Sequence, residues 1–295
     1  MTPRNPLETH LSAIPTKHTV FTVCDARTAV WTYGPDDAAT TFILVHGFRG
    51  THHGLELLAA AMPECQFIAP DLPGFGESQP FSGTHSLEQY AGWLTEFCEI
   101  VDPDASAIVL GHSFGSMIVA NAVTNLSPRR ISLVNPIAEN ALSGPDRILT
   151  NIAIGYYKLG ALLPERLGSW LMSAPFITRI MSEVMAVTRN RALRQWIHAQ
   201  HHAHFSDFAN RQVLLEAFRA SVSDDVTHHA ADFPSGTSLI VGERDKIAPL
   251  PSSQRLQAAM PGSQLFVIEG VGHLVHYETP LALARVLRET YNTGS

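Results

Sequence analysis

The sequence predicts an α/β fold: a mostly parallel central sheet of about eight strands, helices on both of its faces, and one helical segment inserted late in the chain. Three observations carry this. Short apolar runs alternate with amphipathic stretches over most of the chain, the pattern of strand–helix–strand units that assemble into a parallel sheet. The alternation stops from Ile137 to Phe233, where helical periodicity persists and no strand-like run appears. With 295 residues, 45% of them hydrophobic, the chain is long enough for one large core and an added lobe. The expected division is a core built from residues 1–136 and 234–295, interrupted by a helical insert at 137–233.

The first two strands, expected near Thr19–Val23 and Thr28–Tyr33, are rich in threonine, valine and aromatic residues, whose branched or planar side chains suit a pleated surface. Thr41–His46 and Gln66–Ala69 follow, separated by a helix near His53–Met62. A long amphipathic stretch, Leu87–Val101, then leads into the apolar run Ser106–Leu110, a helix at Phe114–Asn125 and a strand at Arg130–Asn135. Within the insert, helical stretches read at Pro145–Leu159, Glu165–Met172, Pro175–Val187, Ala192–His201 and Arg211–Ser221. Beyond it come a strand at Ser238–Val241, a helix at Ser252–Ala259, a strand at Gln264–Ile268 and a closing helix at Leu281–Tyr291. In a sheet of this kind, ligand chemistry belongs at the carboxyl ends of the strands.

Charge and cysteine content narrow the function classes. Net charge is −7 and no basic cluster occurs beyond Arg129–Arg130, so the footprint of a nucleic-acid binder is missing. No run approaches the roughly 18 apolar residues of a membrane span. Met1–Lys17 is polar and broken by proline, where a signal peptide needs a continuous apolar stretch. A cytoplasmic location is expected. Cys24, Cys65 and Cys98 are widely spaced and form no Cys-x-x-Cys pair, so buried thiols are expected rather than a disulfide framework or a zinc site.

Gly111-His112-Ser113-Phe114-Gly115 is a Gly-x-Ser-x-Gly pentapeptide between the apolar run ending at Leu110 and the helix-like run that continues towards Pro128. A serine at such a strand-to-helix turn is held in a strained conformation with its Oγ at the top of the sheet, and the two glycines remove Cβ atoms that would collide there. A serine hydroxyl is almost wholly protonated at neutral pH, so it attacks a carbonyl only with a neighbouring base and an acid to orient that base. Asp245, in the loop that leaves the strand ending at Val241, can present the acid. His273, framed by small glycines after the last strand, can bring an imidazole over the turn.

With these residues in place, the chain resembles the α/β-hydrolase superfamily, whose triad runs Ser, acid, His along the sequence. The resemblance extends almost end to end. Phe42–Phe48 looks like the family's strand ending in His-Gly, and Asp71-Leu72-Pro73-Gly74-Phe75-Gly76-Glu77-Ser78 looks like its Asp-x-x-Gly-x-Gly-x-Ser loop, which walls the site without joining the triad. The resemblance implies Ser113 as nucleophile, His273 as base, Asp245 as acid, and an oxyanion hole made by the backbone N–H groups of Phe48 and Phe114. It favours Asp245 over Glu243, because the family's Gly-x-x-Asp pattern falls on Gly242 and Asp245. It also makes 137–233 a helical cap over Ser113 that shapes the acyl or alcohol pocket.

Other residues near these motifs have plainer readings. His46 and His112 are expected to be packed, hydrogen-bonded supports, and His276 to pack or bond locally. Arg49 follows the oxyanion residue directly; a substrate carboxylate is one partner for it, and a protein acid is the expected one. The histidine-rich segment around His201, His202 and His204, with His228 and His229 later, has residue types that can converge on zinc. Solvated helix-face histidines are the expected state, and no metal or cofactor is assigned.

The expected activity is hydrolysis of a carboxylic ester of a small, partly apolar substrate through an acyl-enzyme on Ser113, with water as the second substrate. Phe48 and Phe114 add aromatic surface beside the nucleophile. Three alternatives stay open, one of them an acyltransferase or lyase on the same fold. Carbon–carbon hydrolases of meta-ring-fission products share a serine triad and a helical cap, although Leu274 and Val275 stand where they often carry a nearby tryptophan. A non-catalytic ligand-binding member would keep the pocket. Haloalkane dehalogenases and epoxide hydrolases carry Asp where Ser113 stands, which argues against both.

Overall fold

The computed structural model describes residues 5–127, 129–139 and 147–292. Eight strands form one sheet: β1 (Thr16–Val23), β2 (Ala26–Tyr33), β3 (Thr41–Val45), β4 (Gln66–Pro70), β5 (Ile108–His112), β6 (Ile131–Val134), β7 (Ser238–Gly242) and β8 (Gln264–Ile268). Their spatial order is β1-β2-β4-β3-β5-β6-β7-β8. β1 and β2 form an antiparallel hairpin and β2 runs antiparallel to β4, whereas the remaining neighbours are parallel. The register aligns carboxyl ends. Val45 lies opposite Gly111, His112 opposite Val134, and Gly242 opposite Ile268, so the loops that leave these strands emerge along one edge.

Helices of the core are α1 (Pro6–Leu11), α2 (Leu57–Ala61), α3 (Leu87–Val101) and α4 (Phe114–Ala122). Between β6 and β7 come α5 (Arg147–Leu162), α6 (Glu165–Met172), α7 (Pro175–Met185), α8 (Arg191–His204) and α9 (Arg211–Ser221). α10 (Leu250–Ala259), α11 (Val275–Glu278) and α12 (Pro280–Tyr291) complete the chain. Ile43, Val45 and Val109 pack with α3 and α4 on one face of the sheet, and Phe42, Leu44, Ile108 and Leu110 with α2 and α12 on the other. Successive strand residues point to opposite faces, so a strand covered on both sides reads as a continuous apolar run. Burying each such side chain stabilises the fold by about 1.5–3 kcal/mol.

Differences from expectation lie mainly at element ends. The helix expected at His53–Met62 is a 3₁₀ turn, His52–Gly54, followed by the short α2; Gly54 is a poor helix former. α4 passes into a 3₁₀ turn at Val123–Asn125, where two β-branched residues disfavour the α-helix. β1 starts at Thr16 rather than Thr19 because Thr16 still pairs with Tyr33. The expected helix start at Pro145 lies outside the described residues, and α8 runs on to His204. Cys65 and Cys98 are buried as expected, but Cys24 is exposed on a turn and donates to Glu96. Burial and that carboxylate push its thiol up to about 11.

The segment carrying α5–α9 leaves and rejoins the sheet through one neck. Val226 N–H donates to Ile137 O at 2.9 Å and Thr227 Oγ1 to Ala138 O at 2.5 Å. It is fastened again farther out: Gly76 N–H donates to Asp207 O, Ala209 N–H to Gly74 O, and Trp196 Nε1–H to Glu8 at 2.7 Å.

Candidate active site

Ser113 joins β5 to α4 with φ 54° and ψ −118°, a combination that costs a non-glycine residue about 1–3 kcal/mol. Its neighbours hold it there. Ser113 N–H donates to Val134 O at 3.1 Å, while Ser116 returns two bonds to Ser113 O, from N–H at 2.8 Å and from Oγ at 2.5 Å. A Cβ on Gly111 would stand 2.7 Å from Gly115 O, and one on Gly115 would stand 2.1 Å from Val45 O. Only glycine lets strand, turn and helix approach so closely.

Asp245 and His273 arrive from the loops after β7 and β8. His273 Nε2 lies 2.8 Å from Ser113 Oγ and its Nδ1 lies 2.7 Å from Asp245 Oδ2. The other Asp245 oxygen accepts Ile247 N–H at 2.7 Å and Ala248 N–H at 3.0 Å. The carboxylate is therefore fixed on both sides, and both it and the imidazole are buried. Glu243, the rival acid, is exposed and accepts Gly270 N–H at 2.8 Å; it braces the histidine loop and does not reach the ring.

Sequence reasoning missed Asn135. It follows β6 with φ 46°, its Oδ1 accepts Gly242 N–H at 3.0 Å, and its Nδ2 donates to the carbonyls of Gly272 and His273 at 3.2 and 2.7 Å. One buried amide thus ties the end of β7 to the histidine loop. The available signal was an asparagine at a strand's carboxyl end, a residue that tolerates positive φ where chemistry collects.

The flanking histidines are supports, as expected. His46 Nδ1 bonds to Gly47 O at 2.9 Å and its Nε2 accepts Leu72 N–H at 2.9 Å, so the ring is neutral with its proton on Nδ1. His112 Nε2 donates to His273 O at 3.1 Å. Burial, with the charge of His273 adding to it, pushes His112 down to about 3. His276 stands 4.3 Å from the His112 ring, and its Nδ1 is buried with no hydrogen-bond partner among the described residues. Burial holds it well below the usual histidine range.

A cavity of about 80 Å³ opens over Ser113 and His273. Core residues Phe48, Leu55 and Leu274 line it, together with Met185, His201 and Phe205 from the insert. Among the described residues, no carboxylate lines it. Phe48 N–H and Phe114 N–H, beside the nucleophile, have no acceptor among the described residues. Phe114 N–H is also one of the unpaired donors at the start of α4, where the helix dipole is positive. The two phenyl rings meet edge to face at 6.3 Å.

Arg49 departs from expectation. It is 1% exposed and has no carboxylate partner among the described residues. Its Nε donates to Phe205 O and one terminal nitrogen to Met172 O, each at 3.0 Å. The guanidinium also lies over the rings of Phe205 and Phe208 at 4.9 and 5.5 Å. Five fixed donors suit two carbonyls at the carboxyl ends of α6 and α8 as well as they suit an acid.

The histidine-rich segment divides. His202 is exposed, whereas His198 and His201 turn their Nδ1 atoms on the Ser182 hydroxyl at 2.5 and 2.7 Å. Burial, assisted by His198, pushes His201 down to about 3. His228 and His229 both bond Asp224. Among the described residues, the group whose atoms could converge on a metal is His52, His53 and Glu56, within 4.8 Å of one another. Hydrogen bonds already close it, from His52 to Asp71 and from His53 to Glu56, each at 3.0 Å. Asp71 also accepts the N–H groups of His52 and Glu77, which shapes the 71–78 loop and keeps Asp71 away from the triad. Burial opposes ionisation of Asp71, yet the His52 contacts outweigh it and hold the carboxyl below its ordinary value.

Fold and site together define a hydrolase architecture, and residues 42–286 match the alpha/beta hydrolase family. The chain belongs to that family. It is 25% identical over 274 residues to a putative carbamate hydrolase, RutD, of Enterobacter cloacae, covering 88% of this chain and 91% of that protein. Among solved structures, a thermophilic esterase from Thermogutta terrifontis superposes with TM-score 0.73 at 22% identity, covering 92% of this chain and 97% of the other. A meta-cleavage product hydrolase superposes with TM-score 0.72 at 18% identity, covering 94% and 98%. These structural likenesses establish the shared fold.

Proposed function

We propose that this protein is a serine hydrolase that cleaves a carboxylic ester of a small, partly apolar substrate through an acyl-enzyme on Ser113. The observation that carries the reading is the unbroken hydrogen-bonded line from Ser113 Oγ through His273 to Asp245, at 2.8 and 2.7 Å, starting from a strained elbow. His273 Nε2 takes the hydroxyl proton as Oγ attacks the ester carbonyl. Asp245 keeps the ring's other proton on Nδ1 and stabilises the imidazolium. The N–H groups of Phe48 and Phe114 receive the charge that develops on the carbonyl oxygen, each such donor contributing about 3 kcal/mol to the transition state. His273 then protonates the leaving alcohol and deprotonates the water that releases the acid.

In this reading residues 137–233 form the cap and residues 1–136 with 234–295 the catalytic core. The cap's Met185, His201 and Phe205 close the pocket. The small free volume favours a short acyl group.

The test is labelling with a fluorophosphonate, followed by a panel of p-nitrophenyl esters of increasing chain length. Beside it run a carbamate, suggested by the RutD relative, and a vinylogous diketone. Stoichiometric modification of Ser113 and fastest turnover of a short ester are expected. Activity of Ser113→Ala within about tenfold of wild type would sink the mechanism. A diketone turned over faster than every ester would move the assignment to carbon–carbon cleavage.

A further inference from the structure

We propose that the outward side of α5, α6 and α7 docks on an anionic lipid surface. Leu159 and Leu162 on α5, Leu167 and Trp170 on α6, and Phe176 and Ile180 on α7 are each 51–84% exposed. The spacing within each pair, three or four residues, puts both members on one side of their helix. Other positions of the same helices are already used: Tyr157, Gly168, Met172, Thr178 and Ser182 are buried. Single exposed apolar side chains are ordinary. Four of the six, an indole among them, stand on α5 and α6, which pack against each other, and so many large apolar side chains within the segment 159–180 mark a part of the chain that meets something other than water.

Charge selects the occupant. Residues 147–194 hold seven lysines and arginines against two acids, while the rest of the chain holds 13 against 25. A protein of net charge −7 therefore concentrates positive charge in the segment that carries these apolar side chains. Both acids are engaged internally, Glu165 with Arg211 and Glu183 with Arg179 and Arg194. Lys158, Arg166, Arg189 and Arg191 are exposed and, among the described residues, paired with no carboxylate. A second copy using the same surface about a two-fold axis would set these like charges against each other. A bilayer with anionic headgroups matches both features: each cation near it contributes about 1 kcal/mol, and tryptophan and leucine side chains enter the headgroup boundary. No helix of the described residues is long and apolar enough to cross a membrane, so the contact is adsorption at the surface.

Vesicle flotation of full-length Ser113→Ala protein tests this independently of the hydrolase reading, since no turnover is needed and lipid cleavage cannot alter the vesicles. Vesicles of phosphatidylcholine alone are compared with vesicles in which about a third of the lipid is phosphatidylglycerol. Binding to the anionic vesicles, its loss at high salt, and little binding to the neutral ones are expected. Lys158→Gln and Arg166→Gln should each lower the partition coefficient about fivefold, and Leu162→Ser with Trp170→Ser should abolish flotation while circular dichroism stays unchanged. Equal flotation with both vesicle types, or with neither, would overturn the proposal. So would a stable dimer by light scattering that Trp170→Ser dissociates, which would assign the surface to a second copy.

Discussion

The side-chain amide of Asn135 donates to the main-chain carbonyl of His273 at 2.7 Å while its oxygen holds Gly242 N–H at 3.0 Å. The loop that carries the imidazole is thereby set by the strand end from which Asp245 departs. Replacing Asn135 with glycine preserves the positive φ and deletes only these bonds. We expect kcat for a short ester to fall by roughly a hundredfold, the scale of a 1 Å misplacement, with little change in KM. A KM effect without a kcat effect would remove Asn135 from the positioning role.

The proposed mechanism gives Asp245 and Glu243 different consequences on substitution. Asp245→Asn leaves the shape intact but disturbs the tautomer of His273, and kcat should drop by about 10⁴. Glu243→Gln alters an exposed contact to Gly270 N–H and a loose surface pairing with Arg244 at 3.9 Å and should change kcat by less than about threefold, because surface contacts of this kind contribute little. Parallel steady-state kinetics on the two variants decide the acid's identity.

Arg49 should matter through the segment that carries α5–α9. Arg49→Met removes the guanidinium donors from the carbonyls of Phe205 and Met172, the latter keeping only Tyr156 Oη at 3.3 Å, and the loss of charged, buried hydrogen bonds is worth about 1.5–3 kcal/mol each. Urea unfolding should shift accordingly, and KM should rise as the wall bearing Phe205 loosens. Arg49→Lys should recover only part of this, since one ammonium cannot reproduce a fork that spans two helices. Full recovery by lysine would contradict the geometry.

Buried neutral histidines make the fold acid-sensitive. His112 and His201 are pushed down to about 3 by burial, whereas an unfolded histidine titrates near 6.5. Between about 6.5 and about 3 the unfolded chain binds protons that the native chain refuses, so stability falls as pH falls through that window and levels off below it. Asp71 acts in the same sense at lower pH: its stabilisation is present above the ordinary carboxylate value and is lost as pH falls through its depressed one. Urea midpoints measured across this range should show the slope, and His201→Asn should make it shallower. An unchanged slope in that variant would refute the account.

The sheet and the central residues were legible because their causes are local. A parallel strand covered on both faces must be continuously apolar, and an elbow serine needs small neighbours, so Ile108–His112 and Gly111 to Gly115 announce themselves within a few positions. Asn135 and Arg49 were not legible, because what defines them is a partner far away in sequence, Gly272 and His273 for one and Met172 and Phe205 for the other. α1 and α11, six and four residues long, are too short for a helical period to register. The outward apolar side chains of α5–α7 read simply as amphipathic helix, since periodicity gives the spacing of a stripe and not what covers it.

The neck formed by Ile137 and Ala138 with Val226 and Thr227 has an evolutionary reading. Because the two ends of the insert are clamped side by side, the sheet perceives everything between them as a single closed loop. Closing such a loop costs only about 0.6 kcal/mol more for each doubling of its length. Lengthening, shortening or exchanging the insert therefore leaves the register of β6 and β7, and with it the spacing of the strand ends that carry Ser113, Asp245 and His273, almost untouched. In the proposed reading, selectivity and surface attachment can drift within the insert while Ser113, Asp245 and His273 stay where the sheet keeps them.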